Sequence, residues 1–288
     1  MNRRKFSQLT LTAPAFATLG TAATRLPIKK GCLLSMVAGD MTVAEKFAMV
    51  RDAGFEGMEV GNVPDERAAE EIRRASAETG LPIHSVMNME HWKSPLSSPD
   101  AAVARRTVDS MKLSLRQARL WGADTVLLVP AVVTPEIRYA DAWKRSRRWI
   151  EELLPEAERQ KVVIAVENVW NKFLLSPLEM VQYVDSFRSP WLRAYFDVGN
   201  ILLYGYPQDW IVTLGKERIA KLHFKDFKFA QRRAEFVNLR EGELDWKAVH
   251  AALTEIGWQG YATVELNKGG AAYLKDVAQR MEQILMGV

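Results

Sequence analysis

Four residues of this chain place a metal-capable side chain in the same local setting. Glu167 closes the apolar run Ala165-Val166, and Asp197 closes Tyr195-Phe196. His223 stands between Leu222 and Phe224, and Glu265 follows Thr263-Val264. Their intervals are 30, 26 and 42 residues (197 − 167, 223 − 197, 265 − 223), each roughly one strand–helix unit. A carboxylate at the end of an apolar strand is costly unless it is paired or metal-bound. Three of them converging on one mouth would repel each other, and a divalent cation resolves that repulsion. Three carboxylates and one imidazole suit one divalent ion, Mn²⁺ foremost, with Mg²⁺ and Co²⁺ also in range. Zn²⁺ would fit as well, although it more often recruits extra His or Cys. The chain has four His and one Cys.

Short β-branched or apolar runs recur along the chain: Gly31–Met36, Gly57–Val60, Pro82–Met87, Thr125–Val129, Val162–Glu167, Arg193–Asp197, Ala220–Phe224 and Ala262–Leu266. Amphipathic helical stretches fall between and after them, at Val43–Ala53, Asp65–Thr79, Pro99–Trp121, Tyr139–Gln160, Pro177–Phe187, Pro207–Lys216, Asp245–Ile256 and Ala271–Leu285. Gly54, Gly80, Gly122 and Gly257 punctuate helix ends. Strict alternation of this kind indicates parallel βαβ units, and eight of them predict a single (β/α)8 TIM barrel. The alternative, a doubly wound dinucleotide-binding sheet, lacks its Gly-x-Gly-x-x-Gly after the first run. A barrel places its chemistry at the C-terminal ends of the strands, where all four candidate ligands fall. Two long connections, Asn88–Pro99 and Lys225–Glu243, lie on that side and are expected to act as lids.

The 288 residues are 48% hydrophobic and 26% charged, an ordinary globular balance that excludes disorder. The lone Cys32 excludes a disulfide framework. No apolar run approaches the ~20 residues of a membrane span. The formal charge of +4 is mostly in the opening segment, where Arg3, Arg4 and Lys5 meet no acid over residues 1–23. Without that segment the balance is 36 basic to 35 acidic residues, so nucleic acid is not an expected partner. The paired arginines, Phe6, the mildly apolar Leu9–Gly20 and the small residues Thr21-Ala22-Ala23 resemble a twin-arginine export signal. Residues 1–26 are therefore expected to be a leader and 27–288 the barrel, in a periplasmic protein. A basic tail on a cytoplasmic protein is the alternative.

The order Glu167, Asp197, His223, Glu265 on the fifth to eighth runs resembles the xylose isomerase-like superfamily of sugar-phosphate isomerases, epimerases and ketose 3-epimerases. So do the contexts Ala165-Val166-Glu167-Asn168, Phe196-Asp197-Val198-Gly199-Asn200 and His223-Phe224-Lys225-Asp226. Glu167–Pro177 also looks like hexulose-6-phosphate isomerases and ribulose-5-phosphate 3-epimerases. There are departures. Asn200 stands where ketose 3-epimerases usually carry a His, and Lys225 and Lys228 are the nearest cations where they carry an Arg.

The resemblance implies a metal-dependent isomerase or epimerase that moves a proton beside a ketone through a cis-enediolate. Glu167 and Glu265 would then be the acid/base pair, and Asp197 and His223 plain ligands. A small-molecule sugar is the expected partner, and a homo-oligomer is compatible with the sequence. Candidate substrate contacts are Glu59 at the end of the second run, His84 in the third, His91 and Trp92 on the first lid, Asn168, Asn200 and Lys225. Trp170, Phe173 and Trp246 offer aromatic faces to a sugar or to the core, and His250 is expected on a helix surface. Three other functions compete. Zinc endonucleases of the same superfamily need more mouth histidines than this chain has. A lyase or hydrolase of 3-keto-glycosides would start with the same proton abstraction. A non-catalytic sugar-binding barrel would not need both candidate base carboxylates.

Overall fold

The structure, a computed structural model, describes residues 25–230 and 233–288. Of the leader expected over residues 1–26, residues 1–24 lie outside the described residues. Arg25 and Leu26 already pack on the body: the Leu26 side chain is buried and its N–H donates to the Leu285 carbonyl at 2.9 Å.

Eight parallel strands close into a barrel: β1 (Ile28–Leu33), β2 (Gly57–Gly61), β3 (Ile83–Met87), β4 (Thr125–Leu128), β5 (Val163–Glu167), β6 (Leu192–Asp197), β7 (Ile219–Phe224) and β10 (Gly260–Val264). Their order around the ring is β1-β10-β7-β6-β5-β4-β3-β2. Two further strands, β8 (Asp226–Ala230) and β9 (Arg233–Val237), pair antiparallel as a separate hairpin. The helices are α1 (Val43–Asp52), α2 (Glu66–Thr79), α3 (Ala101–Trp121), α4 (Tyr139–Gln160), α5 (Pro177–Asp185), α6 (Pro207–Arg218), α7 (Trp246–Ile256) and α8 (Ala271–Leu285). The expected single barrel is present. No helix among the described residues is long and apolar enough to cross a membrane.

Local chemistry sets the element boundaries. Thr42 and Glu45 form a reciprocal capping box on α1. Asp65, Asp100, Ser176 and Asp245 each accept an N–H in the first turn of α2, α3, α5 and α7. Gly80, Gly122 and Gly257 end α2, α3 and α7 in the left-handed conformation, where a side chain would be strained. The main core lies between the strands and the helix ring. A second, smaller cluster of Leu127, Ala165 and Tyr195 fills the barrel interior. Side chains alternate along a strand, so Tyr195 and Asp197 share one face of β6, as Ala165 and Glu167 do on β5. The same alternation carries the interior face up to the functional groups.

Three sequence-based expectations change. The second expected lid is largely the β8–β9 hairpin. The first strand ends at Leu33, and Leu34–Met36 is a 3₁₀ turn. His250 is buried on the core face of α7 with Trp246, Val249 and Leu253.

Candidate metal centre

Glu167 and Asp197 are the last residues of β5 and β6, His223 is one residue from the end of β7, and Glu265 follows β10 directly. The strand register sets Asp197 beside His223, and Thr263, two residues before Glu265, on the other side of it. One ligand atom from each of the four lies within 4.8 Å of every other. His223 Nδ1 stands 2.8 Å from Glu167 Oε1, 3.3 Å from Glu265 Oε2 and 3.9 Å from Asp197 Oδ2. Asp197 and His223 are fully buried, Glu167 nearly so, and Glu265 faces partly outward.

Glu59 fixes which edge of the imidazole faces this cluster. Its Oε1 lies 3.1 Å from His223 Nε2, while its Oε2 accepts from the hydroxyls of Ser85 and Tyr195. With an ion at Nδ1, a carboxylate acceptor behind Nε2 would keep the ring's one proton there and turn the Nδ1 lone pair toward Glu167, Asp197 and Glu265. Glu59 is fully buried, so it stands behind the imidazole and not beside a sugar, as its sequence position had suggested. Ser85 and Tyr195 belong to the same support. Tyr195 was legible only as the residue two before Asp197 on an inward-facing strand.

Lys225 extends over the centre. Its Nζ lies 2.8 Å from Asp197 Oδ2 and 2.7 Å from Glu265 Oε2, and the side chain is nearly buried. Gly199 gives it room: a Cβ there would collide with Lys225 Cγ and lie 2.7 Å from its carbonyl oxygen. Asn168 is spent as a clamp between β5 and β6. Its Nδ2 donates to the Asp197 carbonyl at 2.7 Å and its Oδ1 accepts from the Asp197 N–H at 2.9 Å. That pairing replaces the substrate contact expected for it. Asn200 donates its amide to the Asn168 carbonyl at 3.0 Å and still lines the cavity.

His84 is not at the mouth. It lies low in β3, stacked on Tyr261 at 4.2 Å, with Nε2 3.1 Å from Thr263 Oγ1. Gly31 and Gly57 leave the space its ring fills. Phe173 is core, packed with Tyr139, Trp143 and Tyr183.

Above the four ligands is a cavity of about 280 Å³, lined by Glu167, Glu265, Asn200, Lys225, Met87 and Val169, with His91, Trp92 and Trp170 as its aromatic walls. This is just below the ~300–1,000 Å³ range of ligand pockets. Trp170 stacks on Phe236 of the hairpin at 5.8 Å and meets Phe227 edge-on at 5.3 Å. The hairpin is tied down by Asp226, which sequence reading left aside. Its carboxylate accepts from the N–H groups of Phe227, Arg240 and Gly242 and from Trp246 Nε1 at 2.9 Å. Trp246 is thus a hairpin anchor, away from the cavity.

Electrostatics separate the two glutamates. Burial pushes Glu167 up to about 7 against the pull of His223. Burial acts on Glu265 in the same direction, but Lys225 and His223 outweigh it and hold the carboxyl well below its usual range. Burial also raises Asp197, with Lys225 offsetting part of it. For His223, burial works to lower the pKa, and the charges of Glu59, Tyr195 and Glu167 prevail and raise it. Asp197 Oδ2 is a buried oxygen with no well-formed hydrogen bond, only the Lys225 ion pair. That oxygen, the inward Nδ1 of His223 and two further carboxylates are a donor set that fits a divalent ion.

A closed (β/α)8 barrel with a carboxylate–imidazole cluster at its C-terminal mouth defines the class: a TIM barrel with four groups able to hold a metal ion at the ends of consecutive barrel strands. The chain belongs to the xylose isomerase-like TIM barrel family, whose sequence profile matches residues 47–284. Among curated relatives, SgbU of Escherichia coli (strain K12), provisionally named an L-ribulose-5-phosphate 3-epimerase, is 28% identical over 244 residues, covering 80% of this chain and 85% of SgbU. The L-ribulose-5-phosphate 3-epimerase UlaE of Escherichia coli O1:K1 / APEC is 23% identical over 232 residues, covering 77% and 81%. Among solved structures, a D-tagatose 3-epimerase-like protein superposes with a TM-score of 0.77 at 17% identity, over 89% of this chain and 98% of that one. The IOLI protein, solved with a binding zinc atom, superposes with a TM-score of 0.76 at 16% identity, over 90% and 98%.

Proposed function

We propose that this protein is a divalent-metal-dependent sugar epimerase or isomerase acting on an unphosphorylated ketose or keto-sugar. The observation that carries this reading is the convergence of Glu167, Asp197, His223 and Glu265 within 4.8 Å at the floor of a cavity of monosaccharide scale. The curated relatives, named for epimerisation of L-ribulose 5-phosphate, support the epimerase part of it and not the choice of an unphosphorylated substrate.

Glu167, Asp197, His223 and Glu265 would hold the ion, Mn²⁺ being the species they suit best. When bound, it supplies a Lewis acid beside the substrate carbonyl. The chain's own groups do the rest. Glu265, kept ionised by Lys225 and His223, takes the proton from the carbon next to the ketone. Glu167 returns one at the other face. Trp92 and Trp170 cover the apolar face of the ring and limit the water beside it.

The substrate is read as unphosphorylated because Lys225, the one cation lining the cavity among the described residues, is already paired with Asp197 and Glu265. The opening Arg3-Arg4-Lys5-Phe6 supports the same choice, since we also propose that the protein is exported, and sugar phosphates are mainly cytoplasmic. Changing Arg3 and Arg4 together to Lys should leave the protein in the cytoplasmic fraction, and unchanged delivery refutes that route.

The deciding assay is solvent deuterium incorporation into matched free ketoses, their phosphates and 3-keto-glycosides. Glu167→Gln and Glu265→Gln should each lose ~10²–10⁴ in exchange rate. Wild-type exchange in either variant removes that residue from the proton path. A tenfold or greater kcat/KM preference for the phosphorylated member, ~1.4 kcal/mol in transition-state binding, would assign a sugar phosphate instead. Bond cleavage of the keto-glycosides would assign a lyase or hydrolase.

A further inference from the structure

We propose that His91 is a fixed, neutral hydrogen-bond donor that presents Nε2–H to an oxygen of the bound sugar. The proposal rests on the sugar reading above and deepens it by assigning a recognition group opposite the metal ligands.

The geometry starts from one backbone bond. Val129, immediately after β4, donates its N–H to His91 Nδ1 at 3.1 Å. A backbone amide can only donate, so Nδ1 must carry its lone pair. In a neutral imidazole the proton then sits on Nε2. Protonating the ring would set an N–H against the Val129 N–H and cost that bond. Burial acts in the same direction and pulls the imidazole down to about 4, the opposing charge of Glu265 being too weak to restore it.

His91 is 3% exposed, yet it lines the cavity. Among the described residues no protein group pairs with its Nε2, which points away from the β4 wall that holds Nδ1. It is not among the enclosed polar atoms that lack a partner, so it is reachable from the cavity, and an oxygen of a ligand seated there can accept from it in place of water.

The ring is also held still. Asn88 donates to Ser110 and Ser114 of α3 at 2.9 and 3.1 Å, and Met89 N–H donates to Asn62 at 2.8 Å. Thr107 donates its hydroxyl to the Ser94 carbonyl at 2.6 Å. The first connection is therefore pinned to α3 on both sides of His91, and the donor is positioned before substrate arrives.

This assignment excludes His91 as a general base, because one nitrogen is tied to backbone and the other bears the proton. A neutral imidazole is instead a competent electrophile toward a carbonyl or hydroxyl oxygen. The cavity then has acceptors at the metal end and a neutral donor at the β3–β4 side, which selects how a ketose lies across it.

The test begins with the ring. Two-bond ¹H–¹⁵N correlation spectra of the full chain loaded with diamagnetic Zn²⁺, assigned with His91→Asn, report the protonation of each nitrogen. The expected result is the Nε2–H form, unchanged from about pH 5 to 8, where an ordinary His titrates. An Nδ1–H form, or an imidazolium in that window, overturns the proposal. The second arm compares kcat/KM for the ketose that wild type exchanges fastest. His91→Phe should lose roughly tenfold or more, and His91→Gln, whose amide can donate toward the same oxygen, should recover most of it. Equal losses in both variants, or none in His91→Phe, overturn the donor role. A wild type that exchanges no proton with any ketose sinks the epimerase reading, while the spectra still decide the state of the ring.

Discussion

Replacing Lys225 by Met should destabilise the metal-free protein and then make it respond more strongly to added metal than wild type does. The ammonium contacts Asp197 at 2.8 Å and Glu265 at 2.7 Å. At an effective dielectric of about 20, each contact is worth about 6 kcal/mol of gross attraction. Desolvating the ammonium consumes much of that, so the gross figure is not the net one. Removing one partner from a buried ionic cluster costs about 3–5 kcal/mol, because the remaining charges are left uncompensated. At about 2 °C per kcal/mol for a domain of this size, Lys225→Met should melt roughly 6–10 °C below wild type in chelator. Met keeps the length and apolar stem of the side chain, so packing changes little. A divalent ion then supplies the missing positive charge between the same oxygens. In wild type the ion must share those oxygens with the ammonium or displace it. Calorimetric melts across a Mn²⁺ titration should therefore show the larger rise in Lys225→Met, together with a tighter Kd. The reasoning is refuted by a metal-free variant that melts with wild type, or by equal metal-induced shifts in both.

Three further outcomes follow from the site. Glu59→Gln should weaken metal binding by ~10–100-fold in isothermal titration, because an amide no longer fixes the His223 proton on Nε2; an unchanged Kd would show that Glu59 does not orient the ring. Gly242→Ala would place a methyl on Asp226 Oδ1 and within 2.7 Å of the Phe227 carbonyl; hydrogen exchange across the hairpin should accelerate, and full protection there would show that Asp226 does not anchor it. In chelator, Glu167 titrates near 7 in the fold against 4.5 ordinarily, so its neutral form is the one the fold favours. That contribution is complete below pH 4.5 and is lost as pH rises through 7, up to about 3 kcal/mol. Glu167→Gln should thus be the more stable protein at pH 8 and lose its advantage near pH 4, and a pH-independent difference between the two would contradict this.

The barrel and the clustering of its four strand-end groups were readable because both are written locally. A parallel strand buried on two faces is a short apolar run, and the polar residue that ends it is conspicuous in sequence. Strand ends were less sharp. Apolar side chains continue past the last ladder bond, as at Leu34 and Met36 beyond β1, since packing against helices does not stop where pairing does. The hairpin carried its own signal. Phe227 and Phe229 in β8 alternate with polar residues, the two-residue period of a half-covered strand. The long connection Lys225–Glu243 reads as a lid by its length alone, which says nothing of that alternation. Asp226 was invisible for another reason: apart from its neighbour Phe227, its partners lie 14 to 20 residues downstream and are mostly backbone N–H groups, which no side-chain pattern announces.

Glu59 shows where the strand-end rule stops working. It was read like Glu167 and Asp197, as an acid closing an apolar run at the mouth. β2, however, continues to Gly61, so Glu59 lies two residues inside the strand. At about 3.3 Å per residue, that sets it ~6.6 Å deeper than a terminal residue. Along the barrel axis this is the difference between touching a ligand and standing behind the imidazole that does. The pairing also shifts between Met58 and Glu59, which changes how β2 is staggered against β3. Sequence gives residue type and approximate strand position, but depth depends on which backbone groups pair, and a one-residue error in a strand end is enough to exchange a substrate contact for a support. The same depth argument accounts for His84, still lower in β3 and closed over by Tyr261. It leaves Glu167 and Asp197 secure as mouth groups, because each is the last residue of its strand, and His223 with them, because it pairs with Asp197.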